Sequence, residues 1–172
     1  MIELVSLVAA SIAALLGVVL GVDAPEPVWL PGVDYGHRAP LVVAGDGPGL
    51  REAVAWWNDA SGFELFALAV GAGGAGGADV LVRYGEALPA HVLGATQHRR
   101  RGAAGRIQAT VLVSGGLELP TLTLEHELGH AAGLAHDDAS AVSVMRPAAG
   151  DLPGLARLSA ADRAALRARY RP

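Results

Sequence analysis

The chain has 172 residues, 17 of them acidic and 13 basic, for a net charge of −4. That length suits one domain with its own core, and the mild negative balance argues against the basic face that a nucleic-acid binder needs. There is no cysteine, which excludes disulfides, thiolate metal sites and thiol nucleophiles.

Residues 4–22 are almost wholly apolar, with Ser6 and Ser11 the only clearly polar side chains. As a helix they would span about 28 Å, close to a bilayer core. Three readings compete: a signal peptide cut near Val22-Asp23-Ala24, a retained membrane anchor, and a buried helix. The missing Lys or Arg before the apolar run, the presence of Glu3 and the following Pro25 weaken the first. Membrane attachment through residues 4–22 accounts for the length. Either of the first two readings puts the rest of the chain outside the cytoplasm, secreted or membrane-anchored. The expected organisation is a leader over 1–24, a linker over 25–39 carrying Pro25, Pro27, Pro31 and Gly32, and one domain over 40–172.

Leu41-Val42-Val43-Ala44 reads as a strand between Pro40 and Gly45. Asp46-Gly47-Pro48 opens a helix in which Leu50, Val54 and Trp57 recur at i, i+4 and i+7, ending near Gly62. Trp56 and Trp57 suit its core face. Residues 63–70 read as a strand, 71–77 as a flexible Gly/Ala loop and 79–84 as a second strand. Residues 91–105 read as irregular, with Arg99, Arg100 and Arg101 a solvated run. From Arg106 to Ser114, Ile107, Ala109, Val111 and Val113 alternate with other residues, the mark of a half-buried strand. Pro120-Thr121 begins a helix that runs to Gly133. Ser159 with Asp162 makes a capping box for a closing helix whose apolar side includes Leu166 and Tyr170. The sum is an α+β fold.

The chemistry lies at the end of the Pro120 helix. His126 and His130 are four residues apart, so their rings leave one face a turn apart. That spacing lets two imidazoles hold one ion, and zinc favours nitrogen ligands in a tetrahedron. Glu127 is placed to reach the same cavity without being a ligand. Gly133 can take φ > 0, end the helix and turn the chain back, so that His136 arrives as a third ligand. Three protein ligands leave one position for water, the open arrangement of a catalytic site. Zn2+ would acidify that water and polarise a carbonyl while Glu127 takes the proton.

The stretch His126-Glu127-Leu128-Gly129-His130-Ala131-Ala132-Gly133-Leu134-Ala135-His136 resembles the metzincin zinc signature. Ser143-Val144-Met145-Arg146-Pro147 resembles the Met-turn of that clan, and Met145 with Pro147 resembles the matrixin form in particular. Looser likeness covers about residues 40–171: Glu52 to Phe66, Leu93-Gly94-Ala95-Thr96, Gly105-Arg106-Ile107 and Leu158 to Tyr170. Asp137 departs from matrixins, which usually carry Ser there, and is closer to the adamalysin pattern. It is either a polar partner behind the ligands or a turn residue. His91 and His98 do not match the family's structural zinc or calcium motifs and read as loop residues.

The resemblance implies a zincin-like fold: a small twisted mixed sheet, a backing helix, an active-site helix, a Met-turn with Met145 beneath the metal, and a C-terminal helix. It implies a monomeric zinc endopeptidase acting on a protein or peptide substrate, with an extended peptide pairing to the strand at 106–114. Two alternatives stand beside it, a catalytically silent zinc-binding module on a membrane anchor and an amidase acting on cell-wall peptides.

Overall fold

The computed structural model describes residues 29–36, 38–69, 77–89, 91–101, 106–117, 120–137, 143–147 and 157–170. The apolar leader, linker residues 25–28 and the glycine-rich stretch 71–76 lie outside the described residues. Among the described residues no helix is long and apolar enough to cross a membrane.

Among the described residues five strands and three helices make a mixed α+β fold. In chain order they are β1 (Leu41–Ala44), α1 (Leu50–Ser61), β2 (Phe66–Leu68), β3 (Val80–Glu86), β4 (Gly94–Arg101), β5 (Arg106–Ser114), α2 (Pro120–Ala131) and α3 (Ala160–Tyr170). The sheet order is β2-β1-β3-β5-β4. All neighbours run parallel except β4, which is antiparallel to β5.

Helix α1 forms because Leu50, Ala53, Val54, Trp57 and Ser61 fall on one buried face. It stops at Gly62, whose φ of 79° is left-handed and whose N–H reaches the carbonyls of Asn58 and Asp59. Asn58 then does a second task. Its Oδ1 accepts from the N–H groups of Leu65 and Phe66, and its Nδ2 donates to the Phe66 carbonyl. The outer edge of the short β2 is thereby occupied by a side chain.

Strand β5 behaves as its alternation suggests: Ile107, Ala109, Val111 and Val113 are buried. Their direct partners on β4 are Arg100, His98, Thr96 and Gly94, so these β4 residues share the face that meets α2. Leu124, Leu128 and Ala131 of α2 close this core from the helix side. Burying each leucine contributes about 1.5–3 kcal/mol. The Trp57 indole N–H, itself buried, donates to the Glu125 carbonyl at 2.8 Å and ties α1 to α2.

Three expectations change. Residues 91–105 are not irregular throughout, because β4 occupies 94–101; its strand character comes from pairing with β5 rather than from an apolar alternation of its own. In consequence β5, expected to receive an extended peptide, is internal, with β3 on one side and β4 on the other. The edge beside α2 belongs to β4. The stretch read as a linker is also packed where it is described. Val33 and Tyr35 are buried core members, Trp29 bridges to Leu134, and the Leu30 N–H donates to the Gly133 carbonyl at 2.8 Å. The Arg169 guanidinium lies over the Trp29 ring at 4.3 Å and donates to the Val33 carbonyl.

Helix α3 is capped as its sequence suggests. Ser159 Oγ accepts from the Asp162 N–H at 3.0 Å and donates to the Asp162 carboxylate at 2.8 Å. Tyr170, fully buried, donates its hydroxyl to the Ala132 carbonyl at 2.7 Å, which pins α3 to the end of α2.

Candidate metal centre

His126 and His130 leave the same side of α2 with ring centroids 4.6 Å apart. Each ring is oriented from behind by the main chain. His126 Nδ1 lies 2.8 Å from the Val144 carbonyl oxygen, and His130 Nδ1 lies 2.8 Å from that of Leu134. A carbonyl oxygen only accepts, so each Nδ1 carries the proton and each Nε2 keeps its lone pair. Burial pushes the His130 ring down to about 4 and lowers His126 as well, so both are neutral near pH 7. Neutral imidazole is the form that binds a metal.

Those lone pairs converge. His130 Nε2 stands 3.1 Å from His126 Nε2 and 3.1 Å from His136 Nε2, and one ligand atom from each of the three lies within 4.8 Å of the others. Acceptors turned on one another repel unless a cation lies among them. Tetrahedral zinc with nitrogen at 2.0–2.1 Å would set its ligand nitrogens about 3.3 Å apart. The donor set therefore fits zinc in both chemistry and spacing.

His136 reaches this point because α2 ends. Gly133 has φ +97°, and the Leu134 N–H bonds back to the Gly129 carbonyl at 3.0 Å. The reversal also presents the Leu134 carbonyl to His130. Further on, the turn at 143–147 holds both sides of the cluster. The Val144 carbonyl orients His126, and the Met145 carbonyl accepts the Asp137 N–H at 3.0 Å, one residue after His136. Ser143, buried, accepts the Met145 N–H on its Oγ at 3.1 Å and so shapes the turn. Pro147 is exposed at its end. Asp137 is half-buried, and its charge lies close enough to Asp162 to help burial raise the pKa of that carboxyl.

Met145 is fully buried against Gly129, between the two helical histidines. No local pattern marks Gly129, yet a methyl there would collide with Met145 Sδ and stand 2.9 Å from Trp57 Cζ2. Overpacking of this kind costs about 1–3 kcal/mol, against the ~1 kcal/mol that alanine gains over glycine in a helix. We expect Gly129→Ala to lower stability by roughly 1–2 kcal/mol, a drop of several degrees in melting temperature for a chain of this size. An unchanged or raised melting temperature would show that the sulfur yields freely.

Glu127 is 5% exposed and points toward β4. Its Oε2 accepts the Thr96 hydroxyl at 2.6 Å, and the same hydroxyl lies 3.0 Å from the Glu127 carbonyl. Burial pushes the carboxyl up to about 7, and the Thr96 hydrogen bond opposes the shift. A cation held by the histidines would pull it back down. His98, read as a loop residue, stands on β4 facing α2. Burial lowers its pKa, the nearby main chain of His130 and Ala131 opposes the shift, and its Nε2 is buried without a hydrogen-bond partner. His91 is exposed and outside the strand.

Glu125 is a second buried carboxyl on α2. Burial alone pushes it from its ordinary 4.5 to about 7. The folded chain therefore holds a proton that the unfolded chain has lost between about pH 4.5 and 7, and stability falls as pH rises through that window. Glu125→Gln should stabilise the protein at pH 8 by on the order of 2 kcal/mol and make little difference at pH 4. Urea unfolding at the two pH values measures this; equal gains at both would assign the effect to something other than ionisation.

No protein-family model matches the chain, and no curated protein matches it.

Proposed function

We propose that the chain is a zinc-dependent endopeptidase with a zincin-like, matrixin-like catalytic domain. The observation that carries this reading is the convergence of three imidazole Nε2 atoms beside a buried carboxylate on the same helix. His126, His130 and His136 would hold the zinc, and His136 is exposed, so the cluster is open to solvent on that side. Zinc bound there would supply Lewis-acid polarisation of the scissile carbonyl and would acidify a water.

The remaining work belongs to the chain. Glu127 takes a proton from the attacking water and returns it to the departing amine nitrogen as the C–N bond breaks. Val144 and Leu134 keep the ligand rings in the tautomer that aims Nε2 inward. The edge of β4 beside α2 is where an extended peptide would add as a further strand, its main chain held by hydrogen bonds and its side chains alternating in and out. This takes the place of the pairing with β5.

The test is hydrolysis of casein and of a peptide library by the purified protein, with and without a chelator, alongside metal analysis. One zinc and chelator-sensitive cleavage between internal residues support the reading. Zinc without hydrolysis would make the chain a silent zinc-binding module, and release of cell-wall peptides alone would make it an amidase. Export belongs to the same proposal, because the apolar run at 4–22 is long enough to cross a bilayer. Full-length protein confined to the cytosolic fraction and untouched by protease added to intact cells would overturn it.

A further inference from the structure

We propose that Thr96, with the space left by Gly94, is the positioning device for Glu127, so that the edge strand β4 sets the geometry of the general base. The inference rests on the endopeptidase reading for its catalytic consequence, but its structural content concerns only β4 and α2. A glutamate has three side-chain torsions, and one projecting from a helix toward solvent would sample many positions. A general base must stand within hydrogen-bond reach of the proton it takes. Here two features of β4 limit the choice. The Thr96 hydroxyl donates to Oε2 at 2.6 Å and also lies 3.0 Å from the Glu127 carbonyl, so it is referenced to the helix backbone itself. Two residues earlier on the same face, a Cβ on Gly94 would come 2.7 Å from Glu127 Cγ, 2.9 Å from Oε1 and 2.8 Å from Thr123 Cγ2. The side chain thus runs through a gap that only glycine leaves open, with one carboxylate oxygen tethered at its end.

The two contacts come from alternate residues of one strand, which is why they act together. Pairing of Gly94 with Val113 and of Thr96 with Val111 fixes their height over α2. Because β4 is also the edge a peptide would add to, the strand would align the substrate backbone and the base in one frame.

Thr96→Val removes the hydroxyl and keeps shape and strand preference. In the purified full chain we expect kcat to fall about 10–100-fold while KM stays within about twofold, since the interaction serves the reacting state and not ground-state binding. Thr96→Ser should restore most of the rate. Gly94→Ala, which displaces Glu127 from the other side, should lower kcat in the same range. If Thr96→Val fails to fold, Thr96→Ala takes its place. A second readout needs neither zinc nor turnover: in crystals grown without metal, the Glu127 carboxylate should leave its place beside β4 in Thr96→Val and keep it in Thr96→Ser. Wild-type kcat in Thr96→Val, or an unmoved Glu127 in that crystal, would overturn the inference. If the wild-type protein cleaves no peptide, the endopeptidase reading fails, and the position of Glu127 in the Thr96→Val crystal still decides this one.

Discussion

Glu127→Gln is expected to keep zinc and fold while losing more than about a hundredfold in kcat/KM, within the 10²–10⁴ typical of a general acid–base group. That corresponds to roughly 3–5 kcal/mol of transition-state stabilisation. The substitution preserves volume in a confined place, since the side chain lies against the main chain of Gly94 with 5% exposure. It also removes a buried carboxyl whose ionisation is opposed by desolvation, so without metal the variant should be at least as stable as the metal-free wild type near pH 8. Glu127 is not among the converging nitrogens, and the metal should stay. Near-wild-type turnover in Glu127→Gln would remove the carboxylate from the mechanism. Loss of zinc would make it a structural support of the ligands instead.

His130→Ala should abolish stoichiometric zinc binding. Of the three rings, His130 is the one whose Nε2 stands 3.1 Å from both others, so its removal takes out the centre of the donor set. The ring also anchors the turn after α2 through the Leu134 carbonyl. A ligand that binds only the folded chain stabilises it by about 4 kcal/mol at a thousandfold excess over its Kd. For a chain of this length that is roughly 10 °C in melting temperature. The wild-type protein should therefore lose about that much when a chelator is added, and His130→Ala should melt at the same temperature with and without it. Full zinc retention in the variant, or a wild type whose melting ignores the chelator, would show that the cluster is not a metal site.

What could be read in advance and what could not divide along a physical line. Short-range periodicity made α1, β5, α2 and α3 legible. Leu50, Val54 and Trp57 repeat at the helical period, Ile107 to Val113 alternate, and Ser159 announces its own cap. The approach of His126 and His130 follows from a four-residue offset on any α-helix. The return of His136 follows from a glycine able to adopt φ +97°. These are local properties, so the chain carries them wherever it folds.

Strand β4 was invisible for the opposite reason. The face it turns to α2 carries Gly94, Thr96 and His98 in place of aliphatic residues, and without a repeating apolar signal only pairing with β5 makes it a strand. Once it is there, it takes the sheet edge from β5 and brings Thr96 against Glu127, residues 31 positions apart. The fit of Gly129 to Met145, the packing of Val33 and Tyr35 into the core, and the Val144 carbonyl behind His126 are likewise contacts between distant segments. The sequence by itself determined the spacing of the histidines and the carboxylate along α2. Only the tertiary structure decided which carbonyls orient the rings, which hydroxyl holds the carboxylate and which strand edge lies beside them, because each depends on distant segments packing together and no local pattern encodes that.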